Sequence, residues 1–140
     1  MRNTKYMEKI LAVFFIGFFG GGILEYLMAI FMEILKRKPL RINHRFTLGK
    51  KISLISLPIW GILAILFTNG GIPYIMLFIM SAIVGTFFEF LVGKFFKKMF
   101  GVKIWTYRQG AIGSFTSFYS VPYWGAGGLV FAFLAKSMGL

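Results

Sequence analysis

Apolar residues gather into four long stretches. They run from about Ile10 to Leu35, Ile52 to Thr68, Ile72 to Gly93 and Ala111 to Ala135. Each approaches the roughly 20 residues a helix needs to cross the hydrocarbon of a bilayer, so the pattern predicts four transmembrane helices. The second and third are joined by Asn69-Gly70-Gly71-Ile72-Pro73, a tight turn without charge. The other two connections are longer and cationic.

Composition moves the picture from soluble to membrane. Hydrophobic residues make up 58% of the 140 and charged ones 14%, against roughly 25% charged in an average soluble domain. That excess is too large for a soluble surface and rules out disorder. There is no Cys and no Asp, and the acidic residues are four Glu. Disulfides, thiolate chemistry, most metal sites and hydrolytic triads are thereby excluded. No cofactor and no enzymatic activity is expected. His44, the single His, reads as a solvated loop residue.

The net charge is +12, from 16 Lys and Arg. Seven lie between the first and second stretches and five between the third and fourth, against three before Ile10 and one near the end. This is loop charge flanking spans, which argues against nucleic acid. It predicts cytoplasmic basic loops and extracytoplasmic termini in the cell membrane. Lys36, Arg37 and Lys38, with Lys94, Lys97 and Lys98, are expected to contact anionic lipid headgroups. Trp105 and Tyr107 read as interfacial anchors, and Glu8 and Glu33 as interfacial neutralisers. The first apolar run is too long for a cleaved signal peptide.

An offset of 64 aligns the chain with itself without gaps. Gly21, Glu25, Leu27 and Phe31 fall on Gly85, Glu89, Leu91 and Phe95. Gly49, Ser53, Ser56, Pro58, Trp60, Gly61 and Phe67 fall on Gly113, Ser117, Ser120, Pro122, Trp124, Gly125 and Phe131. These are 11 identities in 47 pairs, where about 4 arise by chance for such a composition. The reading is one membrane domain, residues 1–140, of two tandem helix-loop-helix repeats at about 10–68 and 72–135. With two spans each, the copies point the same way, about a pseudo-two-fold axis along the membrane normal.

Within each repeat a carboxylate sits in a line of small residues. Gly17, Gly21, Glu25 and Ala29 are four apart, as are Ser81, Gly85, Glu89 and Gly93, so each set shares a helix face suited to close packing in lipid. The following helices carry Ser53, Ser56 and Trp60, and Ser117, Ser120 and Trp124, at offsets that align hydroxyls and indole. Pro58 and Pro122 are expected to kink those helices and free carbonyls. Together these groups would wall a polar pocket that binds a cation or exchanges a proton. Burial beside a second carboxylate predicts that at least one of Glu25 and Glu89 is protonated near neutral pH. The alternative is a structural pair, each Glu held by a loop Lys or Arg.

Several short motifs add a family. They are Gly21 to Glu25, Asn43-His44-Arg45-Phe46, Pro58-Ile59-Trp60-Gly61, Glu89-Phe90-Leu91-Val92-Gly93-Lys94, Phe100 to Tyr107 and Trp124-Gly125. With them the chain resembles the bacterial ABC-transporter type IV (CmpB-like) family of small membrane proteins over nearly its whole length. Thr106 stands where that family usually has Asp. The resemblance implies permease-like membrane placement. The chain has no Walker-type Gly-x-x-x-x-Gly-Lys-[Ser/Thr] motif, so an ABC role implies a separate ATPase as partner.

The expectation is therefore an all-α, four-helix polytopic membrane protein. Its function is that of a permease-like protein or transporter subunit. The alternative is a non-transporting structural or regulatory subunit, and assembly is with itself or with another subunit.

Overall fold

The structure is a computed structural model. It describes residues 2–35, 40–43, 45, 47–48, 52–68 and 71–139. Lys36, Arg37, Lys38, His44, Phe46, Gly49, Asn69 and Gly70 lie outside the described residues.

Four helices form where the apolar stretches predicted them, with different lengths. α1 spans Arg2–Ile34 and α3 spans Tyr74–Phe100. α2 is Ser56–Thr68 and α4 is Ser120–Ser137. α1 and α3 are long and apolar enough to cross a bilayer, with mean hydropathy of 2.0 and 2.3 over an 18-residue window of each. α2 has 13 residues, or about 20 Å of helix, short of a hydrocarbon layer of about 30 Å. The chain is mostly helical, as expected, and among the described residues six short strands form between the helices. They are β1 (Leu40–Ile42), β2 (Thr47–Leu48), β3 (Ile52–Ser53), β4 (Trp105–Tyr107), β5 (Ala111–Ile112) and β6 (Thr116–Ser117). The starts of the second and fourth apolar stretches belong to these strands. A short apolar strand running into a helix has the same hydropathy as more helix.

The helices turn their large side chains outward. On α1, Leu11, Phe15, Phe19 and Ile23 are exposed, while Gly17 and Gly21 are buried. On α3, Ile75, Ile79, Ile83 and Phe87 are exposed, while Ser81, Gly85 and Glu89 are buried. Apolar outside and small or polar inside is the arrangement that lipid favours.

α1 packs on α2 and α3 on α4, and α2 and α4 meet in the middle. Their core holds Trp60, Leu63, Trp124 and Phe131. Many contacts recur 64 residues on. Gly21 lies against the Trp60 indole and Gly85 against the Trp124 indole, so close that any Cβ would collide. Gly61 lies against the Phe14 ring and Gly125 against the Phe78 ring. β2 pairs with β3 as Thr47↔Ser53 and Leu48↔Ile52. β5 pairs with β6 as Ala111↔Ser117 and Ile112↔Thr116, the same register at the same offset. The β5–β6 turn uses positive φ at Gly113 (59°) and Ser114 (61°), the hairpin geometry that matches strand twist.

β1 and β4 join the halves. They pair antiparallel as Arg41↔Thr106 and Ile42↔Trp105. Exchanging each residue for its counterpart turns the first pair into the second. It likewise turns Leu40↔Tyr107 into the Asn43–Ile104 pair, which is held by Asn43 N–H donating to the Ile104 carbonyl at 2.6 Å. The ladder therefore maps onto itself when the halves are swapped. The described parts of the two basic connections are thereby joined at 40–43 and 104–107.

Candidate functional site

Helix periodicity turns Glu25 and Glu89 inward with the glycines. Glu25 accepts hydrogen bonds from Ser53 N–H (2.8 Å to Oε2) and from the Trp60 indole N–H (3.2 Å to Oε1), and its Oε1 is also bonded to the Ser56 hydroxyl. Ser56 Oγ is at the same time 2.8 Å from the Ser53 carbonyl. Glu89, 8% exposed, accepts from Thr116 Oγ1–H (2.7 Å to Oε2), from the Trp124 indole N–H (3.4 Å to Oε2) and from the Tyr107 hydroxyl at Oε1. Ser120 Oγ–H donates to the Tyr107 oxygen at 2.9 Å. Among the described residues every donor to either carboxylate is neutral.

The two sites meet through their indoles. The Trp60 and Trp124 ring centroids are 4.1 Å apart at 33°. Tyr123 stands edge-on to both, at 5.5 Å and 6.0 Å. Its buried hydroxyl has no hydrogen-bond partner among the described residues.

Two expectations change. Ser53 and Ser117 are on strands rather than helices. Ser53 serves Glu25 through its main chain, and its buried hydroxyl has no partner among the described residues. Ser117 Oγ instead accepts from Tyr119 N–H at 3.2 Å. Pro58 and Pro122 are the third residues of α2 and α4. In a first turn the amide has no helical acceptor, so these prolines start helices rather than kink them. Ser53, Ser56, Ser117 and Ser120 do not line the groove described beside the site. The groove beside the site, about 270 Å³, is apolar, walled by Leu24, Leu27, Met28 and Phe31 of α1 and by Tyr123 and Val130 of α4.

Trp105 and Tyr107, read as interfacial anchors, turn inward. Trp105 is buried and its indole N–H donates to the Phe115 carbonyl at 2.6 Å. Tyr107 reaches Glu89. Burial, then the adjoining Glu89 carboxylate, push its phenol well above the ordinary range, so it remains a donor. Sequence reasoning missed Tyr107, Thr116 and Tyr123. Thr116 and Tyr107 have Ile52 and Asn43 as counterparts, so the repeat gave no signal for them.

The remaining small residues pack as follows. Gly17 meets Ala64 and the Trp60 carbonyl, Ser81 meets Gly128, and Gly93 meets Phe115 and the Trp105 indole nitrogen. Ala29 is half-buried. Lys94, Lys97 and Lys98 are exposed at the end of α3, where Lys97 Nζ donates to the Gly101 carbonyl at 3.1 Å and Lys94 lies 5.7 Å from the Phe90 ring centre. Cations suit this helix end.

No curated protein and no solved structure matches the chain. A family model does match, over residues 42–138. That segment carries Ser56, Trp60, Glu89, Tyr107, Thr116, Ser120 and Trp124, though not α1 with Glu25. By this match the chain belongs to the family described as "Putative ABC-transporter type IV".

Proposed function

We propose that the protein is a small permease-like membrane subunit of a transporter, not an enzyme, and that Glu25 and Glu89 are its proton- or cation-handling groups. The observation that carries this reading is two carboxylates inside a lipid-suited bundle, each bonded among the described residues by neutral donors. An intramembrane carboxylate is costly to keep unless it serves transport or packing. All four helices would lie in the bilayer as two parallel repeats about an axis along its normal, with the hairpins completing the depth of α2 and α4. The hairpin end would face the cytoplasm and the termini the outside. Its lysines would meet anionic headgroups, and a separate ATPase or a second membrane subunit would dock there.

A second reading has its own observation. Both carboxylates are already multiply bonded, and the adjoining groove is apolar, as befits a structural pair in a non-transporting subunit. Proteoliposomes holding a trapped pH-sensitive dye, under an imposed pH gradient, separate the two. The transport reading expects protein-dependent proton flux that Glu25→Gln and Glu89→Gln each abolish while remaining folded. Flux no greater than in protein-free vesicles leaves the structural reading.

A further inference from the structure

The hydroxyl protons around the two carboxylates can be counted, and the two counts differ. A buried network favours the arrangement in which every proton has an acceptor. Ser56 has one hydroxyl proton but two oxygens within reach, Glu25 Oε1 and the Ser53 carbonyl. If Glu25 is ionised, Ser56 can satisfy one and must face the other oxygen without a proton between them. If Glu25 carries a proton on Oε1, every group is used once. Trp60 N–H donates to Oε1, Oε1–H donates to Ser56 Oγ, Ser56 O–H donates to the Ser53 carbonyl, and Ser53 N–H donates to Oε2.

Glu89 counts the other way. Ser120 O–H donates to Tyr107, Tyr107 O–H donates to Oε1, and Thr116 and Trp124 donate to Oε2. All of these protons need a carboxylate. A proton on Oε1 would reverse the Tyr107 bond and leave the Ser120 proton without an acceptor among the described residues.

We infer that the pair is divided, Glu25 being the proton-holding acid and Glu89 the charged carboxylate. The titratable groups facing Glu25 are Glu89 of α3 and Tyr123 of α4, while α2 and β3 present Trp60, Ser56 and Ser53. A single negative charge shared by the interior is also the arrangement two neighbouring buried carboxylates tolerate. For its place in transport, the inference rests on the pair being a proton-handling site. It assigns Glu89 as the charged group that a transported cation would meet.

Infrared spectroscopy of the full chain at neutral pH tests this without any transport. The C=O stretch of a protonated carboxylic acid stands apart from carboxylate and amide bands. The chain has four Glu and no Asp, which simplifies assignment. The band should be present, vanish in Glu25→Gln and persist in Glu89→Gln. No band, or loss in Glu89→Gln alone, overturns the assignment. Should Glu25→Gln fail to fold, Ser56→Ala removes the acceptor of that proton and should move the band to higher frequency, while Tyr107→Phe leaves it in place. A shift with Tyr107→Phe and none with Ser56→Ala overturns the assignment equally. Absent flux with the band as expected would remove the transport reading and leave the assignment standing.

Discussion

The half around Glu25 and the half around Glu89 share a scaffold and differ in chemistry. In both, a glycine one turn before the carboxylate admits an indole, and the indole N–H turns to the carboxylate. The differences come from the strands. β3 supplies a main-chain N–H at Ser53, whereas β6 supplies the Thr116 hydroxyl. At the equivalent loop position, Tyr107 reaches Glu89. Asn43 spends its side chain on main chain, donating to the Lys103 carbonyl of the other half at 3.4 Å and accepting from Arg45 N–H at 3.1 Å. Identical residues in the repeat thus set packing, and non-identical ones set what each carboxylate can do.

The largest test breaks the shared part. Trp60 is 1% exposed and lies against Gly21, Trp124, Phe131 and Gly127. Trp60→Ala should cost about 3–5 kcal/mol in detergent unfolding. Trp124→Ala should cost less, because Trp60 alone is wedged against Gly127 of the other half. Equal losses would mean that the core is more symmetric than its contacts indicate.

The next test touches the difference. Tyr107→Phe keeps the ring and removes the hydroxyl between Ser120 and Glu89. A loss of about 1–3 kcal/mol is expected, since a buried acceptor and a buried donor are left unmatched. Asn43→Ala, at the equivalent position, should leave the Glu25 site intact. Equilibrium unfolding of the two variants checks both.

The inward line Gly17-Gly21-Glu25 was legible because helix period and residue size point the same way over several turns. The 64-residue offset was legible because Trp, Pro and Glu are scarce enough to mark it. The strands were not. Two or three residues cannot display an alternation, and Ile52 to Leu57 reads as helix by hydropathy. That hid the short α2 and placed Ser53 and Ser117 on helix faces they do not occupy. It also hid Tyr107, because an aromatic beside a basic loop has the composition of an interfacial anchor until strand pairing turns it inward.

The inequivalence of the two carboxylates is the central claim, and the thermal stabilities of Glu25→Gln and Glu89→Gln test it most directly. At position 25 the amide oxygen can accept Ser53 N–H and the amide N–H can donate to Ser56, as the acid does, so only the Trp60 bond is lost. At position 89 the amide nitrogen either turns the Tyr107 hydroxyl round and strands the Ser120 proton, or faces the Trp124 indole N–H beside Thr116. Glu89→Gln should therefore be the less stable variant, by about 1 kcal/mol or more. Equal destabilisation, or a greater loss in Glu25→Gln, would contradict the account.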